Sequence, residues 1–204
     1  MSSTLIEVFA DTVCPFAHVG LTRLVQRRDE LGRDDVRLHI RAFPLEIVNG
    51  EPMAGDAVAH KAAALRQSVA PDLFGSFDGT RFPTTSLPAL ALTHAAYRRD
   101  AATGEAVALR LRQLTFDDTV DTGDPAVIAA LAEANGLSVS EEDVAAVELD
   151  LREAKARGVI GSPHFFTTAG DMFCPALDVR KVDGEFDISV DYERFDELVA
   201  AIFT

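Results

Sequence analysis

The sequence predicts an α/β fold in which a βαβ unit and a closing ββα unit are separated by an all-helical insertion. Three patterns carry that prediction. The apolar run Leu5-Ile6-Glu7-Val8-Phe9 precedes apolar residues at helical spacing, and a second strand pattern follows within about forty residues. The middle of the chain is rich in Ala, Leu and Arg and reads as helix after helix. The chain then returns to strand periodicity at Ser162 and ends on an amphipathic stretch. Residues 1–50 and 158–204 are accordingly expected to form the two parts of the α/β unit, with 51–157 as the helical insertion.

Each element has its own signal. Leu5 to Phe9 is apolar and aromatic enough for a buried strand. Phe16, Val19, Leu21, Leu24, Val25 and Leu31 recur at roughly helical spacing up to Gly32. Val36 to Phe43 alternates apolar and polar residues, the pattern of a half-buried strand. Strand, helix and strand in that order imply parallel pairing through a right-handed crossover. Pro44-Leu45-Glu46 ends the second strand, and Glu46 reads as a solvated loop carboxylate unless it faces the site. Helices are expected at about 54–70, 86–102, 104–116, 125–135 and 141–157, with an N-cap at Asp124-Pro125, a C-cap at Gly136 and a capping box of Ser140 with Asp143.

The turn-rich stretch from Gly75 to Thr85 is a candidate lid or binding loop. His60 and His94 have no partner at ligand spacing and read as ordinary histidines. His164 to Thr168 and Met172 to Cys174 flank the turn Ala169-Gly170-Asp171, which predicts a hairpin. Lys181 to Val190 reads as polar and turn-rich, and Tyr192, Phe195, Leu198, Val199 and Ile202 mark a C-terminal helix.

At 204 residues with 48% apolar composition, the chain can bury a sizeable core without disulfides. Its two cysteines, Cys14 and Cys174, make neither a disulfide framework nor a metal-ligand spacing, so a reducing compartment is expected and no metal. Met1-Ser2-Ser3-Thr4 leads into the first strand without a basic leader, so the expected location is cytoplasmic. No apolar run has the roughly 18–20 residues of a membrane helix. A net charge of −14 argues against duplex nucleic acid or an anionic membrane as partner, because both require a positive footprint.

The chemistry centres on Asp11-Thr12-Val13-Cys14-Pro15-Phe16-Ala17-His18. Pro15 suits the first turn of a helix, which puts the Cys14 sulfur beside free N–H groups and the positive end of the helix dipole. A thiolate is stabilised there, and the thiolate is the reactive form. The alternative is a small buried cysteine. His18 lies one helical turn on, where it could pair with Cys14 as imidazolium or shuttle a proton, or be a plain helix histidine. Cys174 reads as inert unless it serves as a distant resolving thiol. Serine-hydrolase elbows, dinucleotide and phosphate loops and zincin motifs are absent.

A strand, then Cys14-Pro15 at a helix start, with Gly158-Val159-Ile160-Gly161-Ser162-Pro163-His164-Phe165 far downstream, resembles the DsbA-like branch of the thioredoxin superfamily. FrnE-like dithiol-disulfide isomerases resemble it most, with kappa-class glutathione transferases and hydroxychromene-carboxylate isomerases next. The resemblance implies a thioredoxin-like fold and a cis Ser162-Pro163 bond. It further implies that the N–H and C=O of Ser162 stay free to pair with an extended peptide or glutathione. On that basis Cys14, His18 and Pro163 are the candidate catalytic residues, and Pro15, Phe16, Ile160 and Ser162 the candidate substrate contacts.

The chain departs from the family where the usual C-x-x-C becomes Cys14-Pro15-Phe16-Ala17. Ala17 stands where a resolving sulfur would attack, so a mixed disulfide at Cys14 needs an external thiol. Three readings follow in order: thiol–disulfide exchange through Cys14 alone, a glutathione-dependent transferase or isomerase, and a non-catalytic peptide- or ligand-binding module. The expected partner is a small-molecule thiol or thiol-containing peptide. No cofactor is expected beyond glutathione as co-substrate, and pairing into a homodimer stays open.

Overall fold

A computed structural model describes residues 4–182 and 185–203. The reading of Met1, Ser2 and Ser3 falls outside them, as do residues 183 and 184 of the stretch read as turn-rich. Strand β1 (Thr4–Ala10), helix α1 (Pro15–Glu30) and strand β2 (Val36–Ala42) form the predicted unit. The two strands pair in parallel with Val8 opposite Ile40. Strands β3 (His164–Thr167) and β4 (Gly170–Phe173) form the predicted hairpin. Because β3 pairs antiparallel with β1, the four-stranded sheet has the order β2-β1-β3-β4. Helix α8 (Tyr192–Phe203) closes the chain, and its Leu198, Val199 and Ile202 pack with Val8, Ile40 and Leu21 in the main core.

Between β2 and β3 run α2 (Leu45–Asn49), α3 (Gly55–Ser68), α4 (Leu87–Arg99), α5 (Ala101–Phe116), α6 (Pro125–Ala134) and α7 (Glu141–Ala156). The caps read at Asp124 and at Ser140 with Asp143 are both formed. Three local expectations need correction. Residues 45–49 form a short helix, and Glu46 accepts from Thr85 Oγ1 and the Ser86 N–H, which ties that helix to the start of α4. The break between α4 and α5 falls at Asp100 rather than after residue 102, because its carboxylate caps the N–H of Thr103. The stretch read as turn-rich contains most of a second hairpin, β5 (Leu177–Val182) with β6 (Glu185–Val190), in a separate two-stranded sheet.

Strand β2 is an edge of the main sheet, and the insertion covers it. Its buried residues Val36, Leu38, Ile40 and Ala42 alternate as the sequence pattern requires. On its outer edge the N–H groups of Leu38, Ile40 and Ala42 donate to Glu105, Tyr97 and Asp150. Tyr97 also donates to the Leu38 carbonyl at 2.9 Å. Donors that would otherwise recruit another strand are thus satisfied by side chains of α4, α5 and α7.

The Tyr97 ring reaches β2 only because Gly104 lets α5 come close. A Cβ at Gly104 would meet the ring at 2.1 Å, and two hydrogen bonds to β2 hold the ring in place. We expect Gly104→Ala to destabilise the fold by roughly 1–3 kcal/mol through overpacking, despite the better helix propensity of alanine. Chemical denaturation of the two proteins measures this, and an alanine variant as stable as the parent contradicts the packing account.

Candidate active site

The turn from β1 into α1, Asp11-Thr12-Val13-Cys14, is entirely buried. Cys14 is the N-cap of α1 in extended backbone conformation, and Pro15 occupies the first turn, as the sequence suggests. Across the turn lies the segment before β3, where the Ser162–Pro163 bond is cis. The Cys14 Sγ donates to the Ser162 carbonyl at 3.1 Å, and the Asp11 N–H donates to Ser162 Oγ at 2.9 Å. Two bonds from the first turn therefore converge on one residue of the second segment.

One glycine lets the segment before β3 pack closely on β4. A Cβ at Gly161 would collide with the Phe173 ring, whereas one at Gly20 would only touch Pro163 Cγ at ordinary contact distance, 3.7 Å. On the far side Cys174 donates its N–H to the Pro163 carbonyl at 2.9 Å. His164, buried, accepts the Ile160 N–H on Nδ1 at 3.4 Å, which leaves Nε2–H to donate to the Asp171 carboxylate at 2.9 Å. The segment is thus held at both ends.

The sulfur is not the stabilised thiolate that the helix start suggests. Burial pushes the Cys14 thiol up and the negative charge of Asp11 adds to this, while Ser162 and the N–H groups of Ala17 and Phe16 act in the opposite sense. Desolvation wins because Cys14 is only 3% exposed. Cys174 is pushed up to about 12, chiefly by burial and secondarily by the charge of Cys14.

His18 does not pair with Cys14. Its Nε2 lies 3.1 Å from the Asp117 carboxylate, and its ring stacks on Phe116 and meets Phe74 edge-on. Of the two readings of His18, the structure favours the plain helix histidine, since an insertion carboxylate takes Nε2 and the buried ring fastens α1 to the end of α5. The loop read as a lid joins the same aromatic cluster: Phe77 and Phe82 both contact Phe116. The Ser162 carbonyl expected to pair with a peptide already accepts the Cys14 thiol, on one of its two lone pairs.

Of the candidate contacts, Pro15, Pro163 and Ser162 are buried, Phe16 is half-buried and Ile160 is 73% exposed. Ala17 is fully buried one turn from Cys14. Reasoning from the sequence gave no role to Asp11 or Arg112. The Asp11 carboxylate, also fully buried, accepts the N–H groups of Val13 and Leu45. Arg112 reaches from α5 to the carbonyl oxygens of Asp11 at 3.2 Å and Ala10 at 3.5 Å. Its signal was legible, because Ala108, Leu111, Thr115 and Phe116 share its buried helical face. Among the described residues no cluster of three His, Cys, Asp or Glu side chains could hold a metal ion, and no helix is long and apolar enough to cross a membrane.

Comparison with known proteins agrees with this geometry. A family model described as a DSBA-like thioredoxin domain matches residues 5–187. The cytosolic disulfide reductase DsbM from Pseudomonas aeruginosa, solved with GSH, superposes with a TM-score of 0.63 at 16% identity over 96% of this chain and 98% of that one. A 2-hydroxychromene-2-carboxylate isomerase gives 0.61 at 15% identity over 97% and 94%. A probable DsbA oxidoreductase from Streptomyces coelicolor gives 0.56 at 22% identity over 79% of each chain. Among curated proteins the chain has no match.

The raised thiol has a consequence for stability. Folding holds the Cys14 proton, so its contribution is complete below the unfolded value of about 8.5 and is lost as pH rises through the higher folded midpoint. The stability difference between the parent and Cys14→Ser should therefore shift against the parent above about pH 8.5. Denaturation midpoints of both proteins across the alkaline range test this, and a difference that stays flat contradicts it.

Proposed function

Because the chain belongs to the DSBA-like thioredoxin domain family, a family of thiol–disulfide enzymes, we propose that it exchanges thiols and disulfides through Cys14 alone. The co-substrate is an external thiol such as glutathione. The observation that carries this reading is the Cys14 sulfur on the Ser162 carbonyl beside Pro163, with the methyl of Ala17 one turn away. In the first step the Cys14 thiolate attacks a disulfide R–S–S–R′, forms Cys14–S–S–R and releases R′S⁻. In the second an external thiolate attacks the R sulfur, forms the new disulfide and releases the Cys14 thiolate, which regains its proton.

The raised thiol argues against the oxidative direction. A strong dithiol oxidant draws its power from a stabilised thiolate, and a thiol of high pKa is a poorer leaving group. Cys14, pushed up by burial, lacks that driving force. The exposed Ile160 and half-buried Phe16 provide the apolar contacts for the substrate. Two free cysteines suit a reducing cytoplasm, and the glutathione held by the cytosolic reductase supports a small thiol as partner. The same S–H favours a second reading, a glutathione-dependent isomerase, because a protonated Cys14 could donate to a bound glutathione thiolate.

Mass spectrometry after exposure to oxidised glutathione separates the two. Exchange predicts one reductant-removable glutathione on Cys14 and none on Cys174. An unmodified Cys14 in a protein that binds reduced glutathione favours the isomerase reading instead.

Ala17→Cys restores a thiol one turn from Cys14. We expect it to form an internal disulfide under oxidant and to gain dithiol oxidoreductase activity, at a stability cost of about 1–3 kcal/mol for the added sulfur in a packed site. Peptide mapping with an insulin-reduction assay reads both. A folded variant that never forms the bond would exclude the thioredoxin-type geometry assigned to this turn.

A further inference from the structure

Arg112 is buried to 1% exposure, the largest fully buried side chain among the described residues. Its donors meet backbone oxygens: Nη1 the Ala108 carbonyl at 2.6 Å, and Nη2 those of Asp11 and Ala10. Nε meets no partner among the described residues. A buried guanidinium is ordinarily held by a carboxylate in direct contact, because an uncompensated buried charge is strongly unfavourable. Here the Asp11 carboxylate is turned to the N–H groups of Val13 and Leu45, and the guanidinium grips the backbone of the same turn. A side chain from the insertion thus reaches the strand-to-helix turn three residues before Cys14 and leaves part of its hydrogen-bonding capacity unused.

We propose that Arg112 is a positioning residue for the thiol chemistry, fixing the turn that carries Cys14 and supplying the buried positive charge against which the Cys14 thiolate forms and is released. The proposal rests on the exchange reading given above and identifies how that site tolerates its anion. When Cys14 ionises, one negative charge appears in an interior that already holds Asp11. With Asp11 ionised, the loss of Arg112 would leave two like charges in a dry site; with it the net charge of the three groups passes from zero to −1 instead of from −1 to −2.

The charges that face Arg112 are few. Burial pushes the guanidinium down to about 10, still charged at neutral pH, and the groups that act against this are Asp11, Tyr97 and Cys14. Burial keeps the Tyr97 phenol neutral, which leaves Asp11 and a Cys14 thiolate as the anions facing Arg112. Asp11 is itself raised by burial, and Arg112 is among the groups that pull it back. Cys14 faces Asp11 and Ser162 as well as Cys174, whose thiol stays protonated.

Two substitutions separate charge from shape. Arg112→Gln keeps a donor for the turn carbonyls and removes the charge; Arg112→Lys keeps the charge. The readout is the rate of Cys14 alkylation by iodoacetamide against pH, with the site assigned by peptide mapping and folding followed by cooperative thermal unfolding. We expect the glutamine variant to raise the Cys14 midpoint by about one unit, with a roughly tenfold lower rate below it, and the lysine variant to stay near the parent.

A folded glutamine variant with the parent's midpoint overturns the proposal, as do glutamine and lysine variants raised equally. Should the glutamine variant not fold, the lysine variant decides alone: an unchanged midpoint supports the charge and a midpoint raised by a unit overturns it. Alkylation needs no glutathione, so failure of exchange at Cys14 and failure of the Arg112 effect are distinguishable.

Discussion

Strand β2 has one edge on β1 and another that no strand occupies, and the architecture turns on how that second edge is satisfied. Three N–H groups at alternate positions need acceptors, and Glu105, Tyr97 and Asp150 provide them from three different helices. Each acceptor constrains its own helix to one height along the strand. The insertion is therefore registered on the sheet by hydrogen bonds at a fixed spacing, to which apolar packing adds area but little direction. Arg41 strengthens this by gripping Asp150 and Glu153 on α7 along with Glu7 on β1.

Registration of α5 on the edge decides what happens at the turn. Glu105, bonded to the Leu38 N–H of β2, fixes α5, and Arg112, seven residues on and on the same side, reaches the carbonyls of Ala10 and Asp11. One turn further Asp117, just past the helix end, meets His18 and the Phe74 N–H. The same placement that recruits Arg112 thus removes His18 from Cys14. Burial pushes the Asp117 carboxyl up, but the bonds from His18 and Phe74 outweigh it and hold the carboxyl below its usual range.

Much of this was legible in the sequence. Period-two and helical patterns placed the four sheet strands and the long helices because those signals are repeated many times over within each element. The Cys14-Pro15 turn and the Ser162-Pro163 segment were found because each is a local motif. The hairpin β5–β6 was missed because its polar, alternating composition belongs to a small separate sheet whose pairing shows no long apolar run. Interactions across the chain were less accessible. His18 and Cys14 share helical spacing, yet Asp117 is remote in sequence and no periodicity links it to His18. The thiol was expected to be acidic because a helix start is a local property, whereas the burial that reverses its titration depends on the insertion and the β3 segment packing over it.

That contrast bears on how a chain with C-x-x-A chemistry operates. The atoms that would touch a substrate come from α1 and the segment before β3, while the groups that set their charge come from the insertion. A second thiol on α1 would make the site's redox behaviour a local matter of two sulfurs on one helical turn. With Ala17 in that position, the ease of making and releasing the Cys14 thiolate falls to its surroundings, where burial and then Asp11 oppose the anion and the role proposed for Arg112 is to offset them. Changes on α5 can then alter the chemistry without altering any residue that a substrate meets. On the proposed reading of a site with one sulfur, the helical insertion serves as the electrostatic half of that site.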